Sequence, residues 1–207
     1  NLILILLPID IDDVALFASL EFRTFRGGSV AAIWSLVICI LTIILMSAYL
    51  LSAFYLASQA RNLKNNKQNR EISYHKFLNK WESCQILFRG YNNGRYFTHL
   101  FYFFYVVRLA TPMVIAAAYY TLPMMQATAY FFMSCVTVSY IAFAQPIKAK
   151  VNQVQVLTIE SLVLLINFGV FLLAIFDQTG IESSLASVVI GDIIILANLA
   201  INLLLVI

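Results

Sequence analysis

Residues 98–120 read THLFYFFYVVRLATPMVIAAAYY, an aromatic and aliphatic run broken by one charge, Arg108. A bilayer core about 30 Å thick needs roughly 20 such residues in a helix, so the run is of membrane-spanning length. An arginine inside it is costly against lipid and must face protein or water, where it needs a partner. Two acids stand in similar isolation. Glu160 and Asp192 are each the only charge in their own apolar segments. The fold follows from the apolar runs around these three residues.

The 207 residues are 62% hydrophobic and 11% charged, with a mean hydropathy of +0.87. Water-soluble domains carry about 25% charged residues. The apolar positions recur with helical periodicity, without the alternation of a lipid-facing barrel strand. The expected class is all-α, a polytopic transmembrane helical bundle. Its five full spans are residues 30–58, 98–120, 126–145, 153–176 and 185–207. Residues 1–29 form a separate N-terminal region, and residues 98–207 carry the last four spans as one bundle.

Residues 2–7 are too short to cross a membrane and read as the end of a preceding span, stopped at Pro8. The chain opens in mid-run, which leads to the expectation of a longer polypeptide. Asp12 or Asp13 should cap a helix running to about Arg26, with Arg23 and Arg26 in its last turn and Gly27 just past it. Val14, Leu16, Phe17, Leu20, Phe22 and Phe25 suggest that this helix lies at the exoplasmic interface.

Residues 59–97 are the one large polar connection, with eight Lys/Arg against Glu71 and Glu82. Its second half places Tyr74, Phe77, Leu78, Trp81, Cys84 and Phe88 on one helical face, with Lys76 and Lys80 elsewhere. That pattern is an amphipathic helix on the membrane surface. Lys76, Lys80, Trp81, Arg89 and Arg95 are the candidate contacts to lipid headgroups. The loop and the 146–152 turn hold ten of the thirteen basic residues. Both are therefore expected on the cytoplasmic or matrix side.

Gln153, Glu160 and Asn167 recur every seven residues on the fourth span, which keeps them within a narrow stripe. A polar stripe on a membrane helix faces the bundle or a cavity. Arg108 and Glu160 are expected at similar depth, which makes them a candidate ion pair. The alternatives are a clasp that fixes helix register and a path for ions, protons or a ligand. Asp192, Asn198 and Asn202 on the fifth span are candidates for hydrogen bonds to a neighbouring helix or an adjacent subunit. Pro112, one turn after Arg108, should kink its helix.

No nucleotide-binding, hydrolase or metal-ligand motif occurs. His75 and His99 are the only histidines, and neither is deep in a span. The three cysteines lack a metal-ligating spacing. No enzyme activity, cofactor, metal, nucleic acid or soluble substrate is expected. The expected partners are membrane lipids and other subunits or copies of the chain. Only about eight residues join the last two spans, too few for the re-entrant loop of a tetrameric cation channel.

From Lys80 to Glu160 the chain resembles the C-terminal multi-helix region of large ciliate and other protist surface proteins. That region is itself similar to the fungal TRP-like membrane domain. The resemblance rests on the FFYVVRLATP run, Gln126 at the start of the next span, and the turn of Gln145, Pro146, Ile147, Lys148 and Asn152 before Glu160. It implies a bundle of six or more helices following a large exoplasmic ectodomain. The short connection between the last two spans departs from the TRP-channel plan. The expected function is a non-enzymatic membrane module that anchors or assembles a larger surface protein or complex. A TRP-like channel or proton-coupled transporter, and an accessory subunit of a respiratory or other membrane complex, are the alternatives.

Overall fold

A computed structural model describes residues 11–24, 30–65, 76–77, 79–81, 101–180 and 184–206. The expected end of a preceding span at residues 2–7 lies outside these residues. So do Arg26, Gly27, both histidines, Cys84, Arg89 and Arg95. Six helices follow in order: α1 (Ile11–Thr24), α2 (Val30–Asn65), α3 (Phe101–Ala118), α4 (Pro123–Ala144), α5 (Lys150–Thr179) and α6 (Ser184–Val206). Four apolar stretches are long enough to cross a membrane: Val30–Leu56, Pro123–Ala144, Lys150–Thr179 and Leu185–Leu205. Phe103–Ala118 is apolar and shorter. Among the described residues there is no strand. The chain is an all-α membrane helical bundle.

The chain divides into two compact units. The first is Asn1–Ala118 with Pro146–Lys148, and the second is Tyr119–Gln145 with Ala149–Ile207.

In the first unit, α2 runs for 36 residues, about 54 Å at 1.5 Å per residue. It continues to Asn65, past the boundary at Ser58 read from hydrophobicity. Nothing in the intervening ASQARNLKN breaks a helix, because leucine, lysine, arginine and glutamine are good helix formers. Most of its apolar surface remains exposed.

Helix α1 already contains Asp12 and Asp13, so neither is the N-cap expected; both are acids of its described first turn. It packs more extensively on α3 than on any other helix. Its buried residues are Ile11, Ala15 and Ala18, spaced on one face, whereas Phe17 and Phe22 are exposed. Two of the three are small residues, which let a neighbouring backbone approach closely. The larger apolar side chains that suggested an interfacial helix do not define the packed face.

Three contacts fix the directions in this unit. Arg23 Nη1 donates to the Ala117 carbonyl at 3.3 Å, near the C-terminal ends of α1 and α3. If the two helices ran in opposite directions, this contact would carry the rest of α1 beyond the end of α3. They therefore run the same way. The Cys39 thiol donates to the Ala18 carbonyl at 3.6 Å, and Phe54 meets Phe103 edge-on at 5.7 Å. Cys39 thus meets α1 in its second half and Phe54, farther along α2, meets α3 in its first turn, so α2 is antiparallel to both. Helix α3 continues through Pro112.

In the second unit, α5 lies between α4 and α6 and packs along both. Pro123 opens α4 at a position where its missing N–H is no loss. Gln145 ends that helix in the left-handed region, at φ 45°, and its N–H donates to Ile141 O at 3.2 Å. Pro146 follows and is buried. Gly180 closes α5 at φ 66°, a conformation glycine adopts without a Cβ penalty. Ser134 and Asn167 meet across α4 and α5, while Gly169 meets Ile190 and Ile194 of α6. Together with contacts at Ile141–Gln153 and Gln155–Leu204, these make both helix pairs antiparallel.

Candidate functional site

The polar stripe of α5 is spent largely on α4. At one end the Gln153 side-chain amide donates to the Ile141 carbonyl at 2.9 Å. Two turns beyond Glu160, the Asn167 amide donates to Ser134 Oγ at 2.6 Å. Ser134 is 2% exposed. Glu160, midway between these two contacts in sequence, is buried at 6% exposure. A carboxyl group buried in this way is costly unless hydrogen-bonded or paired, and Glu160 has an interaction of its own.

The packing beside the stripe is aromatic. Phe131 stacks on Phe171 with centroids 5.4 Å apart and planes 7° from parallel. It also meets Phe168 at 5.5 Å. The hydroxyls of Thr128 and Thr137 donate back to the carbonyls of Met124 and Met133 on their own helix. Of the serines and threonines of α4, Thr128, Ser134, Thr137 and Ser139, Ser134 supplies the acceptor for Asn167.

A second set of contacts involves helix ends. The last carbonyls of a helix lack intrahelical donors, and in lipid each must be satisfied by the protein. Gln153 serves the last turn of α4 through Ile141 O. Gln155, two residues on, donates to Leu204 O in the last turn of α6 at 2.8 Å. The start of α5 therefore donates side-chain hydrogen bonds to backbone carbonyls of both neighbouring helices. In the first unit Arg23 serves Ala117 O in the last turn of α3. Sequence reasoning singled out neither Gln155 nor this role of Arg23. A glutamine near the start of a span, followed by a partner span of matching length, is the signal that could have found the first.

Arg108 is half-buried on α3. It belongs to the first unit and Glu160 to the second. Within its own unit, the parallel register set by Arg23 and Ala117 brings Arg108 level with the first turn of α1, which holds Asp12 and Asp13. Both Arg108 and Asp13 have interactions. Pro112 has no N–H to donate one turn back, to the carbonyl of Arg108 itself.

Asp192, Asn198 and Asn202 are all exposed on α6. The Asn198 amide donates to Ile194 O of its own helix at 3.0 Å, where a bond to a neighbouring helix was expected. Asp192 has no hydrogen-bond or ion-pair partner among the described residues. Of the loop candidates, Lys76 and Lys80 are exposed and Phe77 is buried. The Trp81 N–H donates to Phe77 O at 3.0 Å, a helical contact within the segment expected to be amphipathic.

Among the described residues, no group of His, Cys, Asp and Glu has the geometry of a metal site. Cys39 and Cys135 are reduced thiols. Comparison with known protein families, curated proteins and solved structures returns no match.

Proposed function

We propose that this chain is a non-catalytic membrane module that anchors or assembles a larger surface protein or complex. The observation that carries the reading is the use of the α5 stripe. Gln153 and Asn167 commit their side-chain amides to α4, so the polar groups serve as ties between helices. Positive charge concentrated in residues 59–97 and in the turn before α5 supports a cytoplasmic or matrix-side location for that loop. The exposed polar face of α6 supports assembly with a further helix. The resemblance to the membrane region of protist surface proteins agrees with an anchoring role.

The test is reconstitution of the purified full-length protein in proteoliposomes. Wild-type protein is expected to pass neither protons nor alkali cations above the level of empty vesicles. Steady flux from the wild-type chain would overturn the reading.

One observation favours a second reading, proton-coupled transport. Glu160 is a carboxyl buried within a membrane helix, and such groups commonly mark proton relays. That reading expects flux in the same vesicles, abolished in Glu160→Gln while the bundle remains folded. The module reading expects Glu160→Gln to alter thermal stability and leave the flux at background.

A further inference from the structure

Helix α6 has one face against α5 and a second, equally regular face that nothing else in its own unit covers. The packed side is marked by Ala197, which is 4% exposed, and by Ile190 and Ile194 against Gly169. At about 100° per residue, Asp192 projects well away from all three. It heads an exposed row spaced alternately by three and four residues: Leu185, Val188, Asp192, Ile195, Leu199 and Asn202. That spacing is the seam of a helix that packs lengthwise against another helix. Beside the row, Gly191 has open space where a Cβ would project, so a second backbone could come close.

Asp192 lies eight residues into α6, about 12 Å along its axis. A carboxylate at such depth is costly against lipid and calls for a cation or a hydrogen-bond donor. Arg108 is the only basic residue away from the ends of an apolar helix among the described residues, and it already has a partner. A second copy in the same register would set Asp192 against Asp192, a like-charge contact. Charge complementarity therefore favours a different chain.

We infer that the Leu185–Asn202 face of α6 docks a transmembrane helix of a partner protein carrying a lysine or arginine at the depth of Asp192. The apolar members of the row supply packing, Asn202 supplies a second polar contact, and Asp192 selects the partner by charge. This inference rests on the assembly reading and names the partner class for it.

The test uses full-length protein labelled with a fluorescence donor in phosphatidylcholine vesicles. The probes are acceptor-labelled polyleucine transmembrane peptides. One carries a lysine eight residues from its N-terminus and another a lysine eight residues from its C-terminus, which covers both orientations. A third is leucine throughout. One of the lysine peptides is expected to associate at least tenfold more tightly than the leucine peptide. Asp192→Asn should remove that preference while leaving helicity and melting temperature unchanged, because the side chain is exposed. Equal association of all three peptides would overturn the inference, as would a preference that survives Asp192→Asn. Efficient disulfide-linked homodimers of an Ile195→Cys variant would also overturn it by making a second copy the occupant. Flux from wild-type vesicles overturns the assembly reading, whereas loss of the lysine preference in a flux-free chain overturns only this inference.

Discussion

The Arg23 guanidinium and the Ala117 carbonyl, 3.3 Å apart, tie the end of α1 to the end of α3 and set the two helices in parallel register. The contact places a cation at a helix C-terminus, where the dipole and the unsatisfied carbonyls both favour it. It also has a consequence deeper in the unit, since it brings the acidic first turn of α1 level with Arg108. A double-mutant cycle between Arg108→Gln and the paired change Asp12→Asn/Asp13→Asn is expected to show coupling of about 0.5–3 kcal/mol. Thermal unfolding in detergent measures it. The parallel cycle between Arg108→Gln and Glu160→Gln tests the ion pair expected from sequence. Additivity in the first cycle would remove the α1 turn as the environment of Arg108.

The Asn167–Ser134 bond is short and joins a half-buried amide to a fully buried hydroxyl. Interhelical hydrogen bonds in membranes contribute about 0.6 kcal/mol on average and up to roughly 1.7 kcal/mol. Ser134→Ala is expected to lower stability by about 1 kcal/mol, because it leaves the amide without this acceptor. Asn167→Leu in the Ser134→Ala background should cost less than in the wild type. Equal costs in both backgrounds, read from unfolding in detergent, would show that the bond contributes nothing to the α4–α5 contact.

The α5 stripe was legible in sequence because a seven-residue recurrence of Gln153, Glu160 and Asn167 survives any choice of neighbour. Its destination was not. Thr128, Ser134, Thr137 and Ser139 are equivalent as letters. Only packing separates Ser134, which meets Asn167, from Thr128 and Thr137, whose hydroxyls return to their own backbone. Helix α1 shows the same limit. Its phenylalanines stood out in sequence and Phe17 and Phe22 are exposed, while Ala15 and Ala18, which are buried, carry little weight in a hydrophobic pattern. The first span read as 30–58 agrees with the apolar stretch Val30–Leu56, while its helix runs on to Asn65. Hydrophobicity marks where a span leaves the lipid, and the helix itself continues until something stops it. Arg108, Glu160 and Asp192 stood out equally as isolated charges, yet Glu160 is buried and Asp192 is exposed.

The side-chain caps made by α5 predict an asymmetric effect. Gln155 donates to Leu204 O and Gln153 to Ile141 O, so each glutamine serves a different neighbour. Gln155→Leu should loosen α6 around Leu204, seen as faster amide exchange there, and should leave α4 protected. Gln153→Leu should do the reverse at the end of α4, where the Gln145 N–H still reaches Ile141 O and limits the loss. The expected cost is about 1 kcal/mol or less for each change. Equal fraying of both helices by either variant would contradict the assignment.

Gly169 sets how closely α5 and α6 approach. A Cβ added there would stand 3.1 Å from Ile194 Cγ1, 3.2 Å from Ile194 Cδ1 and 3.3 Å from Ile190 Cγ2. These are side-chain atoms that can yield by a few tenths of an ångström, and alanine also has the better helix propensity by about 1 kcal/mol. The two effects oppose each other, so Gly169→Ala should change stability by less than about 1 kcal/mol. Gly169→Leu has no such compensation, since its branched end must displace both isoleucines. It should cost several kcal/mol and separate the helices. A disulfide probe joining one cysteine on α5 to one on α6, chosen to cross-link in the parent, would report the separation, with Gly169→Ala expected to cross-link like the parent and Gly169→Leu expected to fail. Cross-linking of the leucine variant at the parent rate would mean that α6 can be held by α5 without the close approach at Gly169.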